Sequence, residues 1–287
     1  MKMVAIDMDG TLLHSDRHIS ETTSETIKEL QKDHKFVIST GRSLTDAMNI
    51  VADAGIAADG FVCGNGAVIA DKDGNILERF SMDVPTATKV AHWLNDHEFY
   101  FHLGTSEGHY ATKDAYQFFL NDLEAYGESH SDATKLKQAI RTQADRQIQM
   151  MGLNLLPSPE DIPKHSFIPY KFLVLSLFPE KLEDIKNAWE GHPHIEFTTS
   201  GTDNLEIMPP DVDKGRGIRF MADHLKIEQQ HTVAIGDNYN DVPMFEAAGL
   251  SIAMGNADDY IKSITDETTV HHNEDGVAKA IQRFILS

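Results

Sequence analysis

Two carboxylates directly follow a short apolar segment near the beginning of the chain. The run Met3-Val4-Ala5-Ile6 is typical of a buried β-strand, and Asp7-Met8-Asp9-Gly10-Thr11 comes immediately after it. Ligands of open α/β sheets usually bind at the carboxyl ends of the strands, where loops converge on a crevice. Asp and Gly also favour ordinary turns. This fragment alone therefore does not separate a reaction site from a solvated turn.

Three later segments supply what a carboxylate pair needs to handle a phosphate ester. Two of them also follow apolar strand-like runs, and together they provide a hydroxyl, free backbone amides, a cation and further oxygen ligands. They are Ser39-Thr40-Gly41-Arg42, then Lys214, and then Gly236-Asp237-Asn238-Tyr239-Asn240-Asp241. The four segments in this order predict a phosphoryl-transfer site.

The apolar pattern predicts the fold class. Short apolar runs at 3–6, 36–38, 61–63, 232–235 and 250–253 alternate with one-faced helical patterns at 44–51 and 218–225. This alternation is typical of βα units around a parallel sheet. We therefore expect an α/β fold with a doubly wound, mainly parallel, Rossmann-like core sheet. The dipeptide Asp73-Gly74, between two apolar runs, predicts a β-hairpin.

The four motifs together resemble those of the haloacid dehalogenase superfamily of phosphatases, and in particular its Cof-type branch. Asn65-Gly66-Ala67, after Phe61-Val62-Cys63-Gly64, and Asn204-Leu205-Glu206-Ile207-Met208-Pro209 extend the resemblance over nearly the whole chain. Met8 stands where relatives commonly carry Leu or Phe. The resemblance implies an α/β cap domain inserted between the second and third motifs.

The composition changes between residues 83 and 198, where aromatic strand-like runs mix with helical patterns. We therefore predict a catalytic core at 1–82 and 199–287, with an inserted α/β cap for substrate specificity at 83–198. The first cap helix is expected to begin at Pro85 and to bury Val90, Ala91 and Leu94. The cap histidines His102 and His109 are expected to be structural or solvated, although either could face a substrate hydroxyl.

Asp7 and Asp9 are the predicted catalytic carboxylates. Asp7 is ionised near neutral pH and can attack phosphorus directly, which would give an aspartyl-phosphate intermediate. Because two like charges so close together should raise one pKa, Asp9 is expected to act as general acid and then as general base. Lys214 is predicted to neutralise both the nucleophile and the phosphoryl oxygens.

The remaining site residues are predicted to bind phosphate or metal. Thr40 and the amides of Gly41 and Arg42 should hold the phosphoryl group, while the Arg42 side chain either contacts substrate or forms a surface salt bridge. Asn240 is expected to contact phosphate, and the resemblance places Asn65 near the site. The predicted Mg²⁺ ligands are Asp7, Asp9 and Asp237, and the resemblance assigns the backbone carbonyl of Asp9 to the metal.

Asp241 is expected to orient Lys214 or a metal-bound water molecule. A calcium-binding loop is the rival interpretation of this last motif. Such a loop needs Asp or Asn at its third position and Gly at its sixth, where the chain has Tyr239 and Val242. The sequence does not fit a calcium loop.

The bulk composition restricts partners and location. The chain has 287 residues and a formal net charge of −20, so its average surface repels nucleic acid and anionic membranes. Cys63 is the single cysteine, which excludes an intramolecular disulfide and fits a reducing cytoplasm. No signal peptide or membrane-spanning apolar run is evident. We expect a cytoplasmic monomer or small homo-oligomer.

The sequence predicts a magnesium-dependent phosphoric monoester hydrolase that acts on a small phosphorylated metabolite such as a sugar phosphate. A phosphomutase would use the same aspartyl-phosphate intermediate, and no residue separates the two activities cleanly. A non-catalytic sensor of a phosphometabolite is a third alternative, although it leaves the retained charged motifs unexplained. A receiver-type phosphorylation switch is another non-enzymatic alternative. Such a switch needs no insertion of this length, so the length of the chain argues against it.

Overall fold

The computed structural model describes residues 1–128, 138, 141–142, 152–201 and 203–287. In this part of the chain there are two compact units. The first contains Met1–Phe80 and Asp211–Ser287, and the second contains Ser81–Pro210. Other residues of the predicted insertion, at 129–137, 139–140 and 143–151, lie outside the described residues.

The described helices include none that is both long enough and apolar enough to cross a membrane.

The first unit is built on an eight-stranded sheet. Its strands are β1 (Met3–Ile6), β2 (Lys35–Ser39), β3 (Gly60–Cys63), β4 (Val68–Asp71), β5 (Ile76–Arg79), β12 (Thr232–Gly236), β13 (Leu250–Ala253) and β14 (Glu267–Thr268). Their order is β14-β13-β12-β1-β2-β3-β4-β5. All neighbours are parallel except the pairs β3–β4 and β4–β5. The predicted mainly parallel α/β sheet is confirmed.

Helices pack around this sheet. Those of the first unit are α1 (Glu21–Leu30), α2 (Leu44–Asp53), α6 (Lys214–His224), α7 (Val242–Ala247), α8 (Asp259–Ile264) and α9 (Gly276–Phe284). The helices predicted at 44–51 and 218–225 are therefore confirmed as parts of α2 and α6, apart from the last residue of the second. The predicted hairpin is also confirmed, because β4 and β5 are antiparallel and Gly74 between them has a φ of +82°.

The central strand β1 explains how the motifs meet. Its four residues are completely buried, and it pairs in parallel with β12 on one side and β2 on the other. Met3 and Ala5 pack in one cluster with Ile218 and Met221 of α6. Since parallel strands end at the same edge of a sheet, the loops after β1, β2 and β12 emerge side by side.

The second unit contains a six-stranded, mainly antiparallel sheet. Its strands are β6 (Tyr100–Thr105), β7 (Gly108–Thr112), β8 (Asn154–Leu156), β9 (Pro169–Leu175), β10 (Glu196–Thr198) and β11 (Asn204–Met208), in the order β10-β11-β9-β6-β7-β8. Its helices are α3 (Val84–Asp96), α4 (Ala115–Glu128) and α5 (Pro179–Trp189). Helix α3 begins at Val84, one residue before the predicted start at Pro85, and Val90, Ala91 and Leu94 are buried as predicted.

The second boundary of this unit differs from the predicted division at 198/199. Strand β11 pairs with β9 and β10 and therefore belongs to the six-stranded sheet, which moves the boundary to Pro210. The sequence of β11 shows a buried strand but does not show its partners. The chain accordingly returns to the first unit just before Lys214.

The two faces of the six-stranded sheet differ in polarity. Phe101 and Leu103 belong to an apolar cluster with α3 and α5. Alternation along β6 turns His102 to the opposite face, and Lys171 and Glu206 form a buried ion pair on the neighbouring strands. Burial, with the nearby charges of His109 and Lys171, holds the pKa of His102 well below its usual value. His102 is therefore a buried, neutral side chain.

The low pKa of His102 predicts acid-sensitive stability. Below the unfolded-state pKa of about 6.5, the unfolded chain binds a proton at this histidine that the folded chain does not. The free energy of unfolding therefore falls by up to about 1.4 kcal/mol for each unit by which the pH is lowered. His102→Gln should reduce the loss of unfolding free energy between pH 7.5 and pH 5.5, measured by urea unfolding. The exposed control His231→Gln should leave this loss unchanged. An unchanged pH dependence in His102→Gln would exclude this residue as the source.

Candidate active site

Asp7 is fixed at the end of the central strand. Its backbone N–H donates to the carbonyl of Ile235 at 3.0 Å, which continues the pairing of β1 with β12. The residue is only 5% exposed. The carboxylate is therefore placed by the sheet itself, between the loops that follow β2 and β12.

Lys214 joins two carboxylates in the interior. Its Nζ donates to Oδ1 of Asp7 and to Oδ1 of Asp241, each at 2.6 Å, and its side chain is completely buried. Lys214 opens helix α6, which Asp213 caps by accepting from the backbone N–H of Arg216. This cap fixes the start of the helix and hence the origin of the lysine side chain.

The close approach of helices α6 and α7 requires a glycine beside the lysine. A Cβ on Gly215 would lie 2.1 Å from the carbonyl oxygen of Pro243, a distance that real Cβ atoms do not reach. Any larger residue would separate the two helices. The sequence Lys214-Gly215 therefore serves packing as well as chemistry.

Asp241 closes the loop that follows β12. Its Oδ2 accepts from the backbone N–H groups of Asp237 and Asn238 at 2.9 and 3.0 Å, while its Oδ1 faces Lys214. Oxygen atoms of Asp7, Asp237 and Asp241 all lie within 4.8 Å of one another. Three carboxylates thus surround one small volume.

The charges of this cluster are unbalanced. Burial, opposed by Lys214 and reinforced by Asp241 and Asp237, raises the pKa of Asp7 well above its usual value. Burial and the charge of Asp241 likewise raise the pKa of Asp237 to about 7. Burial alone would lower the pKa of Lys214, but Asp241 and Asp7 raise it, so Lys214 stays charged. Contrary to the expectation that Asp7 is ionised near neutral pH, one cation does not keep all three carboxylates ionised here, and a bound cation would favour their ionised forms.

The side chain of Asp9 points to a different partner. Its two oxygens accept from Nε and Nη2 of Arg42 at 2.7 and 2.6 Å, and Nη1 of Arg42 donates to Asp46 at 3.1 Å. The Asp9 side chain is 57% exposed, whereas that of Arg42 is 15% exposed. Asp9 therefore does not join the carboxylate cluster through its side chain.

The predicted phosphate-binding residues other than Lys214 and Asn240 lie in the loops after β2 and β3. Thr40 is buried, and its hydroxyl oxygen accepts from the backbone N–H of Arg42 across Gly41 at 3.2 Å. Asn65 has a left-handed φ of +55°, its N–H donates to the carbonyl of Thr40, and its Oδ1 accepts from Nδ2 of Asn240 at 3.3 Å. The structure thus links these loops to the loop after β12.

Thr11 and Asp46 contact residues of the site but were not assigned from the sequence. The hydroxyl of Thr11 donates to Oδ1 of Asp237 at 2.8 Å, and Asp46 accepts from Nη1 of Arg42, the guanidinium nitrogen that does not donate to Asp9. The spacing of four residues between Arg42 and Asp46 is a signal for such a pair. The partner of Thr11 could not be found this way, because 226 positions separate it from Asp237.

Comparison with known proteins identifies the family. Residues 4–281 match the haloacid dehalogenase-like hydrolases. The chain belongs to this family. The resemblance to its Cof-type branch, drawn from the motifs, is confirmed.

Relatives of this haloacid dehalogenase-like hydrolase are named phosphatases. The chain is 32% identical to phosphatase YwpJ of Bacillus subtilis, covering 99% of this chain and 100% of that protein. It is 31% identical to the 5-amino-6-(5-phospho-D-ribitylamino)uracil phosphatase YwtE of the same organism, covering 99% and 98%. A solved haloacid dehalogenase-like hydrolase from B. subtilis matches with a TM-score of 0.85 and 31% identity, over 99% and 100% of the chains. The protein is a phosphatase enzyme.

The donor set fits the divalent cation that phosphatases of this superfamily generally use. Carboxylate oxygens are hard ligands of the kind that such cations prefer, and Asp7 and Asp237 present them in a buried site with excess negative charge. Asp241 takes part mainly through Lys214 and the backbone, since both of its oxygens already accept hydrogen bonds.

The charge imbalance predicts opposite stability effects for two substitutions. Asp7→Asn should raise the free energy of unfolding of this hydrolase in EDTA at pH 7, because the raised pKa of Asp7 means that folding disfavours its carboxylate form, while Asn can still accept from Lys214. Lys214→Met should lower it by about 3–5 kcal/mol, because it leaves buried carboxylates unpaired. Urea unfolding measures both. Equal destabilisation by both variants would contradict the assigned charge balance.

Proposed function

We propose that this phosphatase is magnesium-dependent and hydrolyses a small phosphorylated metabolite through an aspartyl-phosphate intermediate on Asp7. The observation that carries the proposal is the buried contact of Lys214 with both Asp7 and Asp241, beside Asp237. A structural ion pair does not require this third carboxylate. A charged cluster at the carboxyl edge of a parallel sheet is the arrangement expected of a reaction site.

Asp7 and Asp237, with the backbone carbonyl of Asp9, would hold Mg²⁺. The bound ion would neutralise negative charge on the phosphoryl oxygens and on the surrounding carboxylates. Asp241 keeps Lys214 in place and closes the loop that carries Asp237. These assignments are supported by the oxygen-rich donor set described above.

The first step forms one bond and breaks another. An oxygen of Asp7 attacks phosphorus, the ester bond breaks, and the leaving oxygen takes a proton from Asp9. Lys214 is held at Oδ1 of Asp7 and supplies positive charge next to the attacking group. In the second step Asp9 accepts a proton from water, which attacks the phosphorus and releases Asp7.

Asp9 must leave Arg42 to reach the ester oxygen. The exposure of Asp9 provides room for this movement, while Arg42 stays held by Asp46. The freed guanidinium can then contact an anionic oxygen of the substrate, since it binds such groups in a bidentate manner. The hydroxyl of Thr40 and the amides of Gly41 and Arg42 would hold the phosphoryl oxygens, with Asn65 and Asn240 beside them.

We further propose that the second unit is a cap that selects small substrates, and that the enzyme works in the cytoplasm. Membership of the family supports a small phosphorylated substrate, and the name of the relative YwtE offers a phosphorylated ribityl compound as one example. That compound is a candidate substrate for this chain. Sugar phosphates are the second group of candidates.

A hydrolysis panel tests the proposal. It contains sugar phosphates, nucleotides, pyridoxal phosphate, p-nitrophenyl phosphate and 5-amino-6-(5-phospho-D-ribitylamino)uracil, each with Mg²⁺ and with EDTA. We expect Mg²⁺-dependent phosphate release that Asp7→Asn abolishes, because the nucleophile is lost, and that the exposed control Asp16→Asn retains. Near-normal turnover by Asp7→Asn, or a panel indifferent to EDTA, would contradict the mechanism.

A further inference from the structure

Asn256 contacts two of the site motifs although it belongs to neither. It lies between β13 and α8. Its Nδ2 donates to the carbonyl of Gly10 at 2.8 Å and to Oδ2 of Asp237 at 3.2 Å, and its Oδ1 accepts from the backbone N–H of His272 at 3.0 Å. One amide therefore joins the loop after β1, the loop after β12 and the segment before α9.

The orientation of this amide is determined by its backbone partners. The N–H of His272 can only donate and the carbonyl of Gly10 can only accept, so Oδ1 must face the former and Nδ2 the latter. An amide turned by 180° would lose both hydrogen bonds. The donor group of Asn256 is thus directed at Asp237.

The carboxylate of Asp237 is held from two sides. Thr11 donates to Oδ1 at 2.8 Å, and Asn256 donates to Oδ2. Gly10, with a φ of +79°, brings its loop so close that a Cβ there would lie 2.4 Å from Oδ2. These contacts leave Asp237 little freedom to rotate.

We propose that Asn256 is a positioning residue that holds Asp237 in the orientation needed to bind the divalent cation. The inference rests on the proposed function, in which Asp237 is a metal ligand. Partners that hydrogen-bond a ligating carboxylate fix its orientation, and their loss typically weakens metal binding by about 10–100-fold. Asn256 also links the loop containing Asp9 and Gly10 to the same carboxylate, so one side chain contacts both segments that would supply metal ligands.

Asn256→Asp separates this role from a purely structural one. The aspartate keeps an oxygen for the N–H of His272 but turns a second oxygen, without a proton, towards Gly10 and Asp237. Asn256→Ala removes both interactions and carries the test if the aspartate variant does not fold. Asn273→Ala is the matched control, because Asn273 also links the C-terminal segment to the N-terminal loop, through Ser15, without contacting Asp237.

The test is Mn²⁺ binding to the full chain, measured from the free-ion signal in electron paramagnetic resonance, with folding checked by circular dichroism in EDTA. We expect the Kd for Mn²⁺ to rise about 10-fold or more in Asn256→Asp and Asn256→Ala, and to stay within about twofold in Asn273→Ala. Folded Asn256 variants that bind Mn²⁺ within twofold of the wild type, or more tightly, overturn the role of Asn256 but leave the proposed metal site standing. A wild-type chain without a Mn²⁺ site overturns the proposed metal site as well.

Discussion

The buried ammonium of Lys214 is the interaction on which the rest of the site depends. Its Nζ lies between Asp7 and Asp241 and donates a hydrogen bond to each carboxylate. Buried ion pairs are weak sources of stability because desolvation offsets their attraction. The chain nevertheless places three carboxylates close to this lysine. The proposed function explains this arrangement, because a bound cation would offset the carboxylates and Lys214 would act in phosphoryl transfer. Burial of the apolar residues around β1 stabilises the fold and offsets the desolvation of these charged groups.

The topology of the sheet produces the cluster. Strands β12, β1 and β2 are adjacent and parallel, so the residues that follow the first, second and twelfth strands meet at one edge of the sheet although they are far apart in sequence. Lys214 enters from the start of α6, and Gly215 permits that helix to approach α7 closely. Thr11 and Asn256 then hold Asp237 from both sides. Each of these positions follows from a strand end, a helix start or a short loop, so the rigid elements of the first unit hold the reacting groups.

Much of this could be predicted from the sequence because each motif comes directly after an apolar strand. The periodicity of the strands and helices gave the parallel sheet, and the strand ends located Asp7, Thr40 and Asp237. Other features depend on contacts that no local pattern reveals. Strand β11 has the composition of a core strand, yet its partners β9 and β10 place it in the second unit. The pairing of Asp9 with Arg42, and the contacts of Thr11 and Asn256 with Asp237, join segments that are distant in sequence and required the folded structure.

The most direct test of the account is to find the phosphoryl group on Asp7 during turnover. A single turnover with ³²P-labelled substrate and Mg²⁺ is quenched in acid on the millisecond timescale, and the peptides are mapped at low temperature. The account predicts a transient label on the peptide that contains Asp7, which forms before phosphate is released and does not form in EDTA. Phosphate release without any labelled peptide, or a label on a residue other than Asp7, would contradict it.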